Sequence, residues 1–287
     1  MRVVQKTITL PGRSQAIEII PLGDIHLGCM TCDEAKLVEA INYVNDNKYC
    51  YWIGMGDYCE FINRNDTKRF QPETLAKWIK VEDLSDLVSC QRDKFLEYIK
   101  PIAHKCLGLV CGNHEDSIRK YYERNVYMEI VDRVKKLGRM KWDEPLAVGY
   151  NGWVLLRLIR KVNNNKSPTC LIRISLHHGD GGGRSLGGKM NRLIDWMRTH
   201  QSDITIMGHH HNTTCHIDQI ESVTSTGKLV RKRVVGVYSS TFKHTTNEGH
   251  ETYAERKQYP PLPTGYVRII IKPNWDQPAS PDIRVVL

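Results

Sequence analysis

Five short blocks stand in fixed order along the 287-residue chain: Gly23-Asp24-Ile25-His26, Gly56-Asp57, Gly112-Asn113-His114-Glu115, His177-His178-Gly179 and Gly208-His209-His210-His211. The first three follow the runs 17–22 (IEIIPL), 49–54 (YCYWIG) and 106–111 (CLGLVC). Such runs are too short and too evenly apolar for surface helices. They read as buried strands, each delivering its block to the loop at its carboxyl end. Between them lie helical stretches. Residues 33–46 open on Asp and Glu and place Leu37, Val38, Ile41 and Val44 on one face. Residues 86–100 and 117–137 carry the same periodicity, the second closing on Leu137-Gly138. Strand and helix in alternation predict parallel pairing, with ligands gathered at the carboxyl ends of the strands.

From about residue 146 the pattern turns β-rich. Residues 147–162 (AVGYNGWVLLRLIRKV) contain an Asn151-Gly152 turn signal, followed by LIRISLHH at 171–178 and a helix at 187–200. Further strands are expected near 203–208, 213–222, 229–240 and 265–272. The opening residues MRVVQKTITLPG alternate polar and apolar positions, so they read as a first strand rather than a leader. The expected architecture is α/β: a four-layer α-β-β-α sandwich of two stacked mixed sheets, with the five blocks along one edge. With no fixed-period repeat and no Gly/Ser linker, residues 1–287 read as one domain.

The blocks carry a specific chemistry. Hydrolysing a phosphate ester takes a nucleophilic water at neutral pH, neutralisation of phosphoryl charge and a proton for the leaving oxygen. Two divalent ions about 3.5–4 Å apart supply the first two, given a shared carboxylate and a mixed set of oxygen and imidazole ligands. The chain offers Asp24, Asp57, His26, His178, His209 and His211, with Asn113 as a neutral oxygen donor. Asp24 and His26 are two apart, so at an extended strand end they point the same way. His209 and His211 repeat that spacing behind the apolar DITIMG. Taken singly the blocks mean little: Gly-Asn-His-Glu is also a helix N-terminus, and Asp-x-His is also a turn beside a surface histidine. Five of them in order, each behind a strand signal, make coincidence a poor account.

The order Asp-x-His, Gly-Asp, Gly-Asn-His-Glu, His-Gly, Gly-His-x-His resembles the calcineurin-like metallophosphoesterases over residues 23–211. The resemblance implies a double-sheet core and two metals. One would be held by Asp24, His26, Asp57 and His211, the other by Asp57, Asn113, His178 and His209, with Asp57 as the bridge. It implies that His114 contacts the phosphate and protonates the leaving oxygen, oriented through a carboxylate. Glu115 stands where many members have Asp. His177 would support His178, and His210 would point away from the metals.

The ligand set suits Mn, Fe or Zn better than Ca, with Mg less at home among imidazoles, and manganese is the first choice. A formal charge of +9 suits a phosphate polyanion. The expected function is therefore phosphodiester hydrolysis on nucleic acid, DNA or RNA, or on nucleotides. A phosphatase for small phosphomonoesters or phosphoprotein, and a non-catalytic nucleic-acid-binding subunit, stay open as alternatives. Arg184 and Lys189, on the glycine-rich stretch behind the fourth block, are the candidate substrate-binding residues. Residues 63–82 interleave cations with Phe70 and Trp78 and read equally as a contact for a nucleic-acid strand or as an amphipathic lid helix, a lid insertion between the second and third blocks. Residues 241–263 read as a surface loop whose His244 and His250 are not ligands. Nine cysteines, spread from Cys29 to Cys215 without regular spacing, argue against a disulfide framework. No run of about 18 apolar residues occurs. These signs predict a cytoplasmic protein and leave its oligomeric state open.

Overall fold

The computed structural model describes residues 2–162, 167–182, 185–223, 225–249, 252–256, 258–277 and 280–287. The apolar runs become strands β2 (Ile17–Leu22), β3 (Cys50–Gly54) and β4 (Cys106–Val110), preceded by β1 (Arg2–Leu10). Helix α1 (Glu34–Asp46) starts where the Asp33 carboxylate accepts the Lys36 amide, and α2 (Leu87–Ile99) starts where Asp86 accepts that of Ser89. Helices α3 (Asn113–Tyr122) and α4 (Val126–Leu137) precede strands β5 (Ala147–Gly149), β6 (Asn151–Arg160) and β7 (Thr169–His177). Helix α5 (Leu186–Thr199) is followed by β8 (Ile204–Met207), β9 (Cys215–Val223), β10 (Leu229–Tyr238), β11 (Arg268–Lys272) and β12 (Asp282–Val286).

Two six-stranded mixed sheets result, in the orders β1-β6-β7-β8-β10-β9 and β12-β11-β2-β3-β4-β5. Strands β2, β3, β4 and β5 run parallel, as do β7, β8 and β10. The layer between the sheets is aliphatic, drawing Val4, Ile19, Ile53 and Leu107 together with Val154, Ile172, Ile206 and Val237. On the outer face of the second sheet, Leu37, Phe95, Ile130 and Val134 from α1, α2 and α4 cover Ile20, Trp52 and Leu109. Trp52 is fully buried and satisfies its indole by donating to the Ile102 carbonyl oxygen at 2.8 Å. Leu193 and Met197 of α5 cover Met207 and Val234 on the outer face of the first sheet. The four-layer α-β-β-α order follows from burying both faces of each sheet.

Three local expectations need correction. Residues 117–137 do not form one helix, because Glu123 takes a left-handed conformation (φ 56°) and Asn125 caps a new helix by accepting the Met128 amide. Asn151-Gly152 is not a hairpin turn. Strand β5 pairs with β4 in one sheet, while β6 pairs with β1 and β7 in the other, so the chain crosses between sheets there. Residues 63–82 hold turns and a short 3₁₀ segment, Pro72–Thr74, rather than a lid helix. Trp78 packs inward, its indole donating to Glu34 at 2.8 Å. Among the described residues, no helix is long and apolar enough to cross a membrane.

Candidate metal centre

The loops leaving β2, β3, β4, β7 and β8 meet at one edge. The β2 and β3 loops run side by side, with Asp24 N donating to Gly56 O at 3.0 Å and Ile25 N to Asp57 O at 2.9 Å. Glu115, at the start of α3, ties in the β4 loop: its carboxylate accepts the amides of Gly112 (2.7 Å), Asp57 (2.9 Å) and Tyr58 (2.9 Å). The β8 loop joins through His209 N, which donates to both Asp24 carboxylate oxygens at 3.0 and 2.8 Å. So close an approach needs glycine at 56, which has φ +88°; a Cβ there would lie 2.6 Å from Gly112 N and 2.7 Å from His178 Nδ1. Asp24, His26, Asp57, His209 and His211 all have φ between 48° and 67°. Five non-glycine residues in this sparsely populated region, all within the blocks, mark stored backbone strain at one place.

The side chains converge in three groups, each with its donor atoms within 4.8 Å of one another: Asp24, His26 and His211; His26, Asp57 and His114; Asp57, His178 and His209. The Asp57 Oδ2 atom stands between, 3.8 Å from His26 Nε2, 3.3 Å from His178 Nε2 and 4.0 Å from His114 Nε2. Asn113 Oδ1 lies 3.0 Å from His178 Nε2.

Hydrogen-bond partners fix which imidazole nitrogen carries the proton. His26 Nδ1 meets the Glu60 carboxylate at 2.8 Å, so Nδ1 donates. The Thr241 hydroxyl donates to Asp24 O at 2.9 Å and therefore accepts at 3.2 Å from His211 Nδ1. His178 Nδ1 donates to Met55 O at 2.7 Å, and His114 Nδ1 to Glu60 O. Each ring thus turns its Nε2 inward. The Nε2 atoms of His26 and His211 face each other at 3.2 Å with no proton between them when both rings are neutral. His178 Nε2 faces two oxygens, those of Asn113 at 3.0 Å and Asp57 at 3.3 Å, and there a proton on the ring stands in for a cation. Lone pairs aimed at one another in a dry site repel unless a cation lies among them.

The electrostatics say the same. Burial, helped by Lys243, pushes His26 down to about 4; burial holds His211 well below the usual imidazole range and also lowers His209. These rings are neutral, with free lone pairs. Asp24 and Asp57 are 0% and 1% exposed. Burial raises Asp24, and the nearby negative charge of Asp57 adds to that. Burial opposes a proton on His178, yet Asp57 outweighs it and the pKa rises to about 10. In the bare protein His178 is the group that takes up positive charge for a site built to hold more of it. The donor set therefore fits divalent ions.

No known protein family matches the sequence, and no curated protein matches it. Solved structures give loose likenesses. The chain is similar to a Streptococcus pneumoniae protein described as a predicted phosphoesterase, at 11% identity over 95% of this chain and 99% of that one, with a TM-score of 0.33. It is similar to Vps29 with Zn²⁺ from Entamoeba histolytica, at 10% identity over 94% and 98% of the two chains, TM-score 0.36. It is also similar to the calcineurin-like phosphoesterase YfkN of Bacillus subtilis, at 13% identity over 95% and 90%, TM-score 0.36. At such identities and scores, the functional case is the side-chain geometry alone.

That geometry brings together Asp24, His26, Asp57, Asn113, His114, His178, His209 and His211. His177 stands beside them, its Nδ1 accepting the Gly179 amide at 2.7 Å and its ring edge-on to Trp196. His210 is buried against Tyr238, and its Nε2 has no partner among the described residues. Lys189 is placed otherwise than expected: it is 8% exposed, and its ammonium donates to His210 O at 3.0 Å, propping the histidine loop from behind. Arg184 and His250 lie outside the described residues. His244 pairs with Asp33 at 3.3 Å, away from the ligands. The carboxylate expected to orient His114 is absent from that role. Glu115 holds backbone instead, and the Glu60 carbonyl oxygen takes the His114 ring.

Glu60, Thr241 and Lys243 are the residues sequence reasoning missed. Lys243 Nζ meets Glu60 at 2.8 Å, on the oxygen that accepts His26. Burial opposes ionisation of Glu60, but Lys243 and His26 hold its carboxyl well below the usual carboxylate range. The segment read as a surface loop from residue 241 thus begins inside the centre, with Thr241 and Phe242 fully buried. The Ser239-Ser240-Thr241 run straight after a strand was the available signal, since β10 ends on the same edge.

Proposed function

We propose that the chain is a two-metal phosphoesterase that hydrolyses phosphodiester bonds of nucleic acid or nucleotides. The observation that carries this reading is the convergence of inward Nε2 atoms on two buried carboxylates, those of His26 and His178 on Asp57 and that of His211 on Asp24, with each outer Nδ1 held by a fixed acceptor. Asp24, His26 and His211 would hold one ion, Asn113, His178 and His209 the other, and Asp57 both. Manganese is the first choice for this mixture of nitrogen and oxygen donors. Bound divalent ions supply charge neutralisation for the phosphoryl oxygens and lower the pKa of an attacking water.

The remaining work falls to the chain's own groups. His114 is half-buried at the rim, and its Nδ1–H is held by the Glu60 carbonyl oxygen. When Nε2 is protonated, that proton is aimed into the centre, where it can pass to the leaving oxygen. The buried Asp24 and Asp57 orient the site through backbone: Asp57 Oδ1 accepts the His114 amide at 2.9 Å, which fixes the acid relative to the shared ligand. A formal charge of +9 favours association with anionic esters.

The test is hydrolysis of bis-(p-nitrophenyl) phosphate by purified protein with Mn²⁺. Asp57→Asn should abolish both turnover and metal binding. His114→Ala should lower kcat by about 10²–10⁴-fold while metal binding persists. No turnover with Mn²⁺, Zn²⁺, Fe²⁺ or Mg²⁺ would sink the enzyme reading.

A further inference from the structure

A cleft of about 1100 Å³ opens directly beside the centre. The two are contiguous through Asn113, which lines the cleft and approaches His178 with its side-chain oxygen. The loop at 65–69 forms one side, and the last turn of α3 forms another. Its volume exceeds the upper end of the usual small-molecule range, about 1,000 Å³, so a nucleotide-sized group fits with room to spare.

Two properties of its lining select a class of ligand. The first is aromatic: Tyr121 and Tyr122 at the end of α3, with Tyr150 across from them next to the histidines. The Tyr121 ring is 75% exposed, an unusual state for so large an apolar face at the wall of a cleft. Tyr150 is pinned, its hydroxyl donating to Gly179 O at 3.0 Å, so that wall is rigid. The second property is charge balance. Lys68, Arg69 and Lys120 are matched by Asp66, Asp116 and Asp180 among the described residues of the lining. Arg69 pairs with Asp66, and Asp116 is shared by Lys120 and Arg119, each contact at 2.6 Å. A groove that tracks a polyanionic backbone carries a surplus of cations. Among the described residues of its lining, this one does not, and what they offer is stacking faces with charge-balanced polar edges.

We infer that the cleft beside Asn113 is a nucleoside subsite, seating the base and sugar of a nucleotide whose phosphate lies at the metal centre. The inference rests on the phosphoesterase reading and narrows it: the substrate is recognised through a single nucleoside rather than through a length of strand. Tyr121 is the stacking residue, a positioning group for the base.

The experiment titrates adenosine and thymidine into the metal-free full-length protein, followed by saturation-transfer NMR and calorimetry. Both nucleosides should bind. Tyr121→Ala should weaken binding about tenfold, and Tyr121→Phe, which keeps the ring, should stay within about twofold of wild type. Because Tyr121 is exposed, thermal melting of both variants should match wild type. Absence of nucleoside binding, or equal binding by Tyr121→Ala, overturns the subsite. So does tight binding of oligothymidylate that falls steeply with salt and ignores the Tyr121 substitutions, the mark of a backbone groove. The two readings fail separately: no metal-dependent hydrolysis of bis-(p-nitrophenyl) phosphate strikes the phosphoesterase, and no nucleoside binding strikes the subsite.

Discussion

Glu60 sets the polarity of the His26 ring through one carboxylate oxygen shared with Lys243. Replacing it by glutamine keeps the shape but removes the negative charge that raises the basicity of Nε2 and balances Lys243. Partners that orient ligands in this way are worth about 10–100-fold in metal affinity. Glu60→Gln should therefore weaken Mn²⁺ binding within that range, measured by competition with a fluorescent chelator, while far-UV circular dichroism stays unchanged. Unaltered affinity would mean that Glu60 is merely a neighbour. This residue also shows what the sequence conceals. Asp57 is legible because a glycine and a strand end announce it, whereas Glu60 sits in an unpatterned stretch and gains its role only when Lys243, 183 positions away, folds against it. Glu115 shows the converse. Its place in a recognisable block suggests a hold on the His114 ring, but a side chain three residues past Gly112 reaches the amides of Gly112, Asp57 and Tyr58 more readily, and three hydrogen bonds from backbone decide the matter.

At the scale of elements, the break between α3 and α4 is the instructive case. Glu123 closes α3 in the left-handed region, at φ 56°, a position where glycine meets no Cβ penalty. Glu123→Gly should raise stability by about 1 kcal/mol, read as a higher urea midpoint at unchanged m-value. An unchanged or lower midpoint would show that the side chain makes up for the strain. The same residue explains why the break is hard to read: apolar periodicity continues across it through Ile118, Val126 and Ile130, and glutamate is not a usual helix stop. The strands were easier. β2, β3 and β4 are buried on both faces, so their runs are continuous and bounded by glycine. Asn151-Gly152 misled because a hairpin signal is local, while the partner of each flanking strand is chosen by the whole sheet. Strand β12 gives no signal beyond a short run, DIRVV, paired only along one edge by β11.

Across the whole molecule, the centre joins the two sheets. Asp24, Asp57 and Asn113 follow strands of the second sheet, and His178, His209 and His211 follow strands of the first. Ions bound among them would cross-link the layers at the edge, beside the aliphatic core the sheets already share. Unfolding scatters these residues, so a metal held by them would bind the folded state alone and stabilise it by mass action. At a free concentration 100 times the dissociation constant that amounts to about 2.7 kcal/mol per site, which for a chain of this size corresponds to roughly 5 °C or more in Tm. Adding Mn²⁺ to protein stripped with EDTA should therefore raise Tm by that amount, and further EDTA should reverse it. Because both sheets bury one common layer, the transition should move as one. Asp57→Asn should remove the shift, since a ligand shared in the proposed way would bear on both ion positions. Its own metal-free Tm should fall as well, because asparagine retains an oxygen for the His114 amide but leaves the buried His178 without the carboxylate that charges it at 3.3 Å. A wild-type Tm indifferent to Mn²⁺ at concentrations that support turnover would place the ions outside the inter-sheet edge. A split transition would mean that the metal steadies one sheet without binding it to the other.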